Sequence, residues 1–109
     1  MSNEDTISKM LVYCAKIQTY SAGLDAQQFR ASSLVTEACV LNFIQLGELV
    51  TKLDPGFMET NPHIQWKIIK GFRNRLVHDY EGINMELLWE IINNDLPDLI
   101  DKLKGLLSS

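Results

Sequence analysis

Apolar residues recur at three- and four-residue steps through most of the chain, and nowhere do they alternate as a half-buried strand would require. Ile7, Met10, Leu11, Cys14, Ile17 and Ala22 form one stripe of a helix predicted over residues 6–22, with Ser2 or Asn3 available as cap and Gly23 as stop. A short element around residues 25–30 leads into the longest predicted helix, residues 32–53. There Glu37, Gln45, Glu48 and Lys52 fall in one sector, and nearly everything else, from Leu34 to Val50, is apolar. An apolar arc that wide exceeds what one neighbour covers, and it predicts burial both by the bundle and by a second subunit. Asp54-Pro55-Gly56 stops this helix. Asn61-Pro62 reads as a cap followed by proline at the first helical position, opening a third helix to about residue 77. Its Trp66, Ile69, Phe72 and Leu76 face the core. Gly82 breaks the chain, and Asn84 caps a fourth helix bearing Leu87, Leu88, Ile91 and Ile92. Pro97 kinks or restarts it before Leu99, Ile100, Leu103 and Leu106 carry the pattern onward. The expected architecture is all-α, an up-and-down bundle of four to five helices in a single domain, residues 1–109.

A hydrophobic content of 46% and a charged content of 22% are ordinary for a folded domain. The polar, acidic start Met1-Ser2-Asn3-Glu4-Asp5 has no basic segment ahead of an apolar run, which predicts no signal peptide. Apolar runs are short and interrupted by charge, so no membrane span is expected. Cys14 and Cys39 lie in helical patterns without a second Cys or His at ligand spacing. They are expected as small buried thiols in a reducing cytoplasm, and neither a metal nor another cofactor is expected.

Charge changes the picture at one place. From Thr60 to His78 there is no Asp or Glu, whereas Lys67, Lys70, Arg73 and Arg75 all fall there, together with both histidines, His63 and His78. A chain of net charge −4 thus carries a segment of +4, and such a local reversal draws a phosphate to an otherwise acidic molecule. Asn74 and His78 are four apart and share a face. Arg73 and His78 are five apart, roughly 140° around an ideal helix, and do not converge unless the helix end unwinds, the arginine folds around, or a symmetry mate supplies one of them. An imidazole can take or give a proton near neutrality and a guanidinium can hold a phosphate in a planar fork. The pair suffices for metal-free RNA cleavage in which the 2′-hydroxyl attacks its own phosphodiester. Structural roles account for the same residues: Arg75 and His78 answer the helix dipole, Asn74 is a helix-end hydrogen bonder, Tyr80 anchors the turn, and Lys67 and Lys70 form a solvated face. Asn42, opposite the polar stripe of the second helix, reads as a satisfied interface amide.

The run Arg73-Asn74-Arg75-Leu76-Val77-His78-Asp79-Tyr80 resembles the signature of the HEPN superfamily, in which Arg, four residues, His, one residue and Tyr define the site. The segments LNFIQLGELVTKL, IQWKIIKGFRNRLVHDY and LLWEIINNDLPDLIDKL resemble its HepT-like branch, so the likeness extends over residues 5–106. The resemblance implies a metal-independent ribonuclease toxin whose partner, a minimal nucleotidyltransferase antitoxin, silences it by adding AMP to the motif tyrosine, as in type VII toxin–antitoxin pairs. On this reading Arg73 and His78 carry catalysis, Asn74 supports them, Tyr80 accepts AMP, and Lys70 and Arg75 contact RNA phosphates. The expected partners are RNA, a second copy of the chain and the nucleotidyltransferase, with neither DNA nor a membrane. An alternative implied by the same resemblance is a non-catalytic nucleotide- or substrate-binding subunit of a two-component nucleotidyltransferase. A third reading is a helical interaction module with a degenerate site.

Overall fold

The computed structural model describes residues 1–108, and Ser109, the last residue of the expected domain, lies outside them. Helix α1 spans Asn3–Ser21, capped by Ser2 in a reciprocal box with Asp5, a device that stabilises a helix start by about 1 kcal/mol. The stripe ends on Ser21 rather than Ala22: Ser21 is buried, with its hydroxyl donating to the Ile17 carbonyl at 2.8 Å. Gly23 then takes a positive φ of 77°, which a side chain would resist, and turns the chain. Asp25 and Gln28 form a second capping box on α2, Ala26–Ala31. The buried ring of Phe29 anchors this short helix by packing against Trp89 at 5.0 Å.

Helix α3, Ser33–Val50, is the central rod. It runs antiparallel to α1. Asn3 and Asp54 exchange two hydrogen bonds of 3.2 Å at one end of this pair, and Cys39 reaches the Ile17 carbonyl near the other. By length and composition α3 could cross a bilayer, yet half of it is buried in the bundle, where α1 and α5 cover it. Burial pushes the Cys14 thiol up to about 12 and the Cys39 thiol up to about 11, so both are inert core residues, as expected. Asn42 is satisfied by its own helix, its amide donating to the Ala38 carbonyl at 2.8 Å.

The third predicted helix is displaced. Residues 55–59 form a short α4, Pro55–Glu59, with Pro55 at its start. Asn61 does not cap α5: its amide donates back to the Phe57 carbonyl, and residues 61–65 form a turn closed by the Trp66 indole on the Asn61 carbonyl. Helix α5 therefore begins at Trp66, not Pro62, and runs to His78. The proline preference for a first helical turn operates here at Pro55 of α4.

Asn84 caps α6, Met85–Glu90, accepting from the Glu86 and Leu87 amides. A π-helical turn, Ile91–Asp95, continues without a break into α7, Leu96–Leu107. Pro97 explains that turn. Its ring would press on the carbonyl four residues back in an α-helix, and widening the preceding turn moves that carbonyl aside. Helix α7 packs along α1, and an ion pair of 2.7 Å between Arg30 and Glu86 ties α2 to α6. Among the described residues there is no strand, and the all-α bundle stands as expected.

Candidate functional site

Helix α5 lies antiparallel on α3, and the two helices cross closely at Gly47. A methyl group there would overlap Arg73 Cβ and stand 2.7 Å from its Cγ, so only glycine lets the arginine stem cross the helix. Phe43 and Phe72 pack edge-on at 5.4 Å one turn away and fix the rotation of α5. Past Gly47 the Arg73 guanidinium meets Glu48, with Nη1 3.1 Å from Oε1. The arginine side chain is 18% exposed and the glutamate 45%, and the buried Nε–H of Arg73 has no hydrogen-bond partner. Arg73 is thus held in place by packing, with part of its donor set unused.

His78 is the last residue of α5 and exposed, where the amide of Asp79 closes the final turn on the Arg75 carbonyl at 2.8 Å. A helix C-terminus favours positive charge, which suits Arg75 in the last turn. Asn74, Arg75 and Lys70 are exposed on α5. Arg73 and His78 share no contact, and on a regular helix they stand about 7.5 Å apart along the axis and roughly 140° apart in rotation. The basic window does not form one patch either. His63 lies in the turn before α5, about 18 Å or more along the axis from His78.

Beyond the helix, Tyr80 is half-buried against the core in the turn closed by Gly82 on the Asp79 carbonyl at 3.2 Å. A side chain at Gly82 would run into the Asp79 carboxylate, 2.7 Å from its Cγ, so this turn also depends on a glycine. Burial and the nearby Glu37 carboxylate of α3, which can accept the phenolic proton, raise the Tyr80 pKa above its ordinary value. A transferase using this phenol as a nucleophile would have to remove a proton held more firmly than usual. Among the described residues no three His, Cys, Asp or Glu side chains gather as a metal site.

The sequence marks Glu37 and Glu48 only as members of the polar sector of the second predicted helix, and one of them is the arginine's partner. Gly47 did carry a signal, a lone glycine inside a strongly apolar helix, which marks close backbone approach.

The bundle places a guanidinium and an imidazole on one helix and a phenol in the turn that follows it. The protein belongs to the HepT-like ribonuclease family: the family model described as "Ribonuclease HepT-like" matches residues 10–106. A protein of Caldanaerobacter subterraneus subsp. tengcongensis named "Putative RNase" is 33% identical over 85 residues, covering 78% of this chain and 76% of that one. Another of that name from Methanocaldococcus jannaschii is 30% identical over 80 residues, 73% of each chain. The "Probable ribonuclease HepT" of Thermococcus cleftensis is 22% identical over 105 residues, 96% of each. No solved structure gives a significant match.

Proposed function

We propose that the protein is a metal-independent endoribonuclease in which Arg73 and His78 act on one scissile phosphate. The observation that carries this reading is Arg73 itself, a guanidinium fixed at a helix crossing with an unpartnered N–H, on the helix that ends in His78. The 2′-oxygen attacks the adjacent phosphorus as its proton leaves to a base, and the bond to the 5′-oxygen breaks as that oxygen gains a proton. Products are a 2′,3′-cyclic phosphate and a free 5′-hydroxyl. His78 transfers a proton and Arg73 stabilises the charge added at phosphorus. Asn74 supports them, and Lys70 and Arg75 attract the flanking phosphates.

The divergence of Arg73 and His78 favours a two-fold homodimer in which one subunit's arginine works with the partner's histidine. Three exposed apolar side chains support such a contact: Leu34 (80% exposed) and Leu41 (56%) on α3, and Val77 (50%) on α5. Tyr80 accepts AMP from a partner nucleotidyltransferase, and the attached anion competes with RNA beside Arg73 and His78. That makes the chain the toxin of a toxin–antitoxin pair in a reducing cytoplasm. Purified protein incubated with RNA in EDTA tests the reaction. Cleavage to cyclic-phosphate ends that is lost in His78→Ala supports it. RNA left intact by folded protein points to the non-catalytic nucleotide-binding subunit instead.

A further inference from the structure

The two members of the Glu48–Arg73 pair differ in freedom. Arg73 is trapped, its stem pressed over Gly47 and its side chain largely covered. Glu48 stands on the outer surface of α3, half in water, and reaches the guanidinium through one oxygen and one nitrogen only. A guanidinium has five N–H donors, and a phosphate takes two of them in a fork. The carboxylate holds one corner of the guanidinium by charge, 3.1 Å from Nη1, and a small rotation of the Glu48 side chain into water would release it without moving either helix.

We infer that Glu48 is a positioning residue that holds Arg73 in its resting orientation and is exchanged for the RNA phosphate on binding. The inference rests on the ribonuclease reading and adds a determinant of affinity to it. In the resting chain the pair is neutral, which weakens the pull of Arg73 on anions that cannot displace the carboxylate. A phosphodiester that offers two oxygens to the guanidinium fork replaces a single contact by two, and the released glutamate is rehydrated. Binding must first break the ion pair with Arg73, so Glu48 lowers affinity for RNA.

The test is a cycle of wild type, Glu48→Gln, Arg73→Ala and the double variant, binding a short single-stranded RNA whose riboses are 2′-O-methylated and cannot be cleaved. Glutamine keeps the hydrogen-bonding shape and removes the charge. Fluorescence anisotropy should show binding tightened about two- to fivefold by Glu48→Gln, the strength of a half-exposed ion pair. The slope of log affinity against log salt should steepen by about 0.7, the release expected for one more uncompensated phosphate contact. Both effects should vanish when Arg73 is alanine, and KM for cleavable RNA should fall with the dissociation constant. A loss confined to kcat with affinity unmoved would mean that Glu48 stays in place and orients Arg73 in the transition state, which overturns the exchange. The same tightening in the Arg73→Ala background would make Glu48 a distant charge only, which also overturns it. If wild type neither binds nor cleaves RNA, the ribonuclease reading itself falls, and this inference with it.

Discussion

Arg73 and His78 lie on one helix five residues apart, yet the fold treats them oppositely. At the Gly47 crossing, Arg73 is enclosed by backbone, by the Phe43–Phe72 pair behind it and by Glu48 at its tip. At the helix end His78 is exposed. Under the proposed mechanism, a single chain thus organises the phosphate-holding half of the reaction in advance, where pre-set charge contributes most to catalysis. The same proposal leaves the proton-transferring half at a surface for a second subunit or the RNA to complete.

The sharpest way to break that contrast is to remove each partner. Arg73→Ala and His78→Ala should each reduce RNA cleavage by about 100-fold or more, with helical circular dichroism retained. Mixing the two inactive variants as folded protein separates the cases. If the site is shared across a dimer, subunit exchange restores one functional arginine–histidine pairing and part of the activity. If each chain works alone, the mixture stays inactive, and light scattering should then show a monomer of 12.4 kDa rather than twice that mass.

Gly47→Ala should be the most damaging change outside the reacting groups. The added methyl meets the Arg73 stem, so the helices must part or the arginine must leave its groove. Overpacking of this kind costs about 1–3 kcal/mol of stability, read by urea unfolding, and cleavage should fall well beyond what the stability loss explains. Normal activity in Gly47→Ala would show that Arg73 does not need its crossing. At the other end, Gly82→Ala should spare the core and disturb only the turn that carries Tyr80. Global stability should fall by no more than about 1 kcal/mol, while modification of Tyr80 by a partner transferase slows.

The same contrast explains what could be read from the sequence. The helices and the core stripe were legible because Ile7, Met10, Cys14 and Ile17, or Trp66 and Leu76, repeat with the helical period. The motif residues were legible by resemblance. The start of α5 is not legible because Asn61-Pro62 satisfies a local rule for helix starts, whereas the turn it joins is set by the Asn61 amide and the Trp66 indole. Glu48 was hidden for a different reason. On its own helix it looks like any solvated carboxylate, and only the packing of α5 across Gly47 brings Arg73 to it.

The smallest expected effect concerns Tyr80 and pH. Burial, followed by the Glu37 carboxylate, raises the phenol's pKa in the folded chain above its ordinary value near 10. The folded state therefore keeps a proton that the unfolded state releases first. Stability from this source is fully present below the unfolded pKa and is lost as pH rises through the folded one. Wild type should accordingly lose stability more steeply than Tyr80→Phe across the alkaline range that begins near pH 10, with the two parallel at neutral pH. The other tyrosines and the lysines titrate in both proteins and cancel in the difference. Glu37→Gln should flatten the wild-type curve partway toward that of Tyr80→Phe, because burial remains when the carboxylate's charge is gone. Identical alkaline slopes for wild type and Tyr80→Phe would mean that the phenol is not held by α3, and that the tyrosine turn is as loosely set as His78 before it.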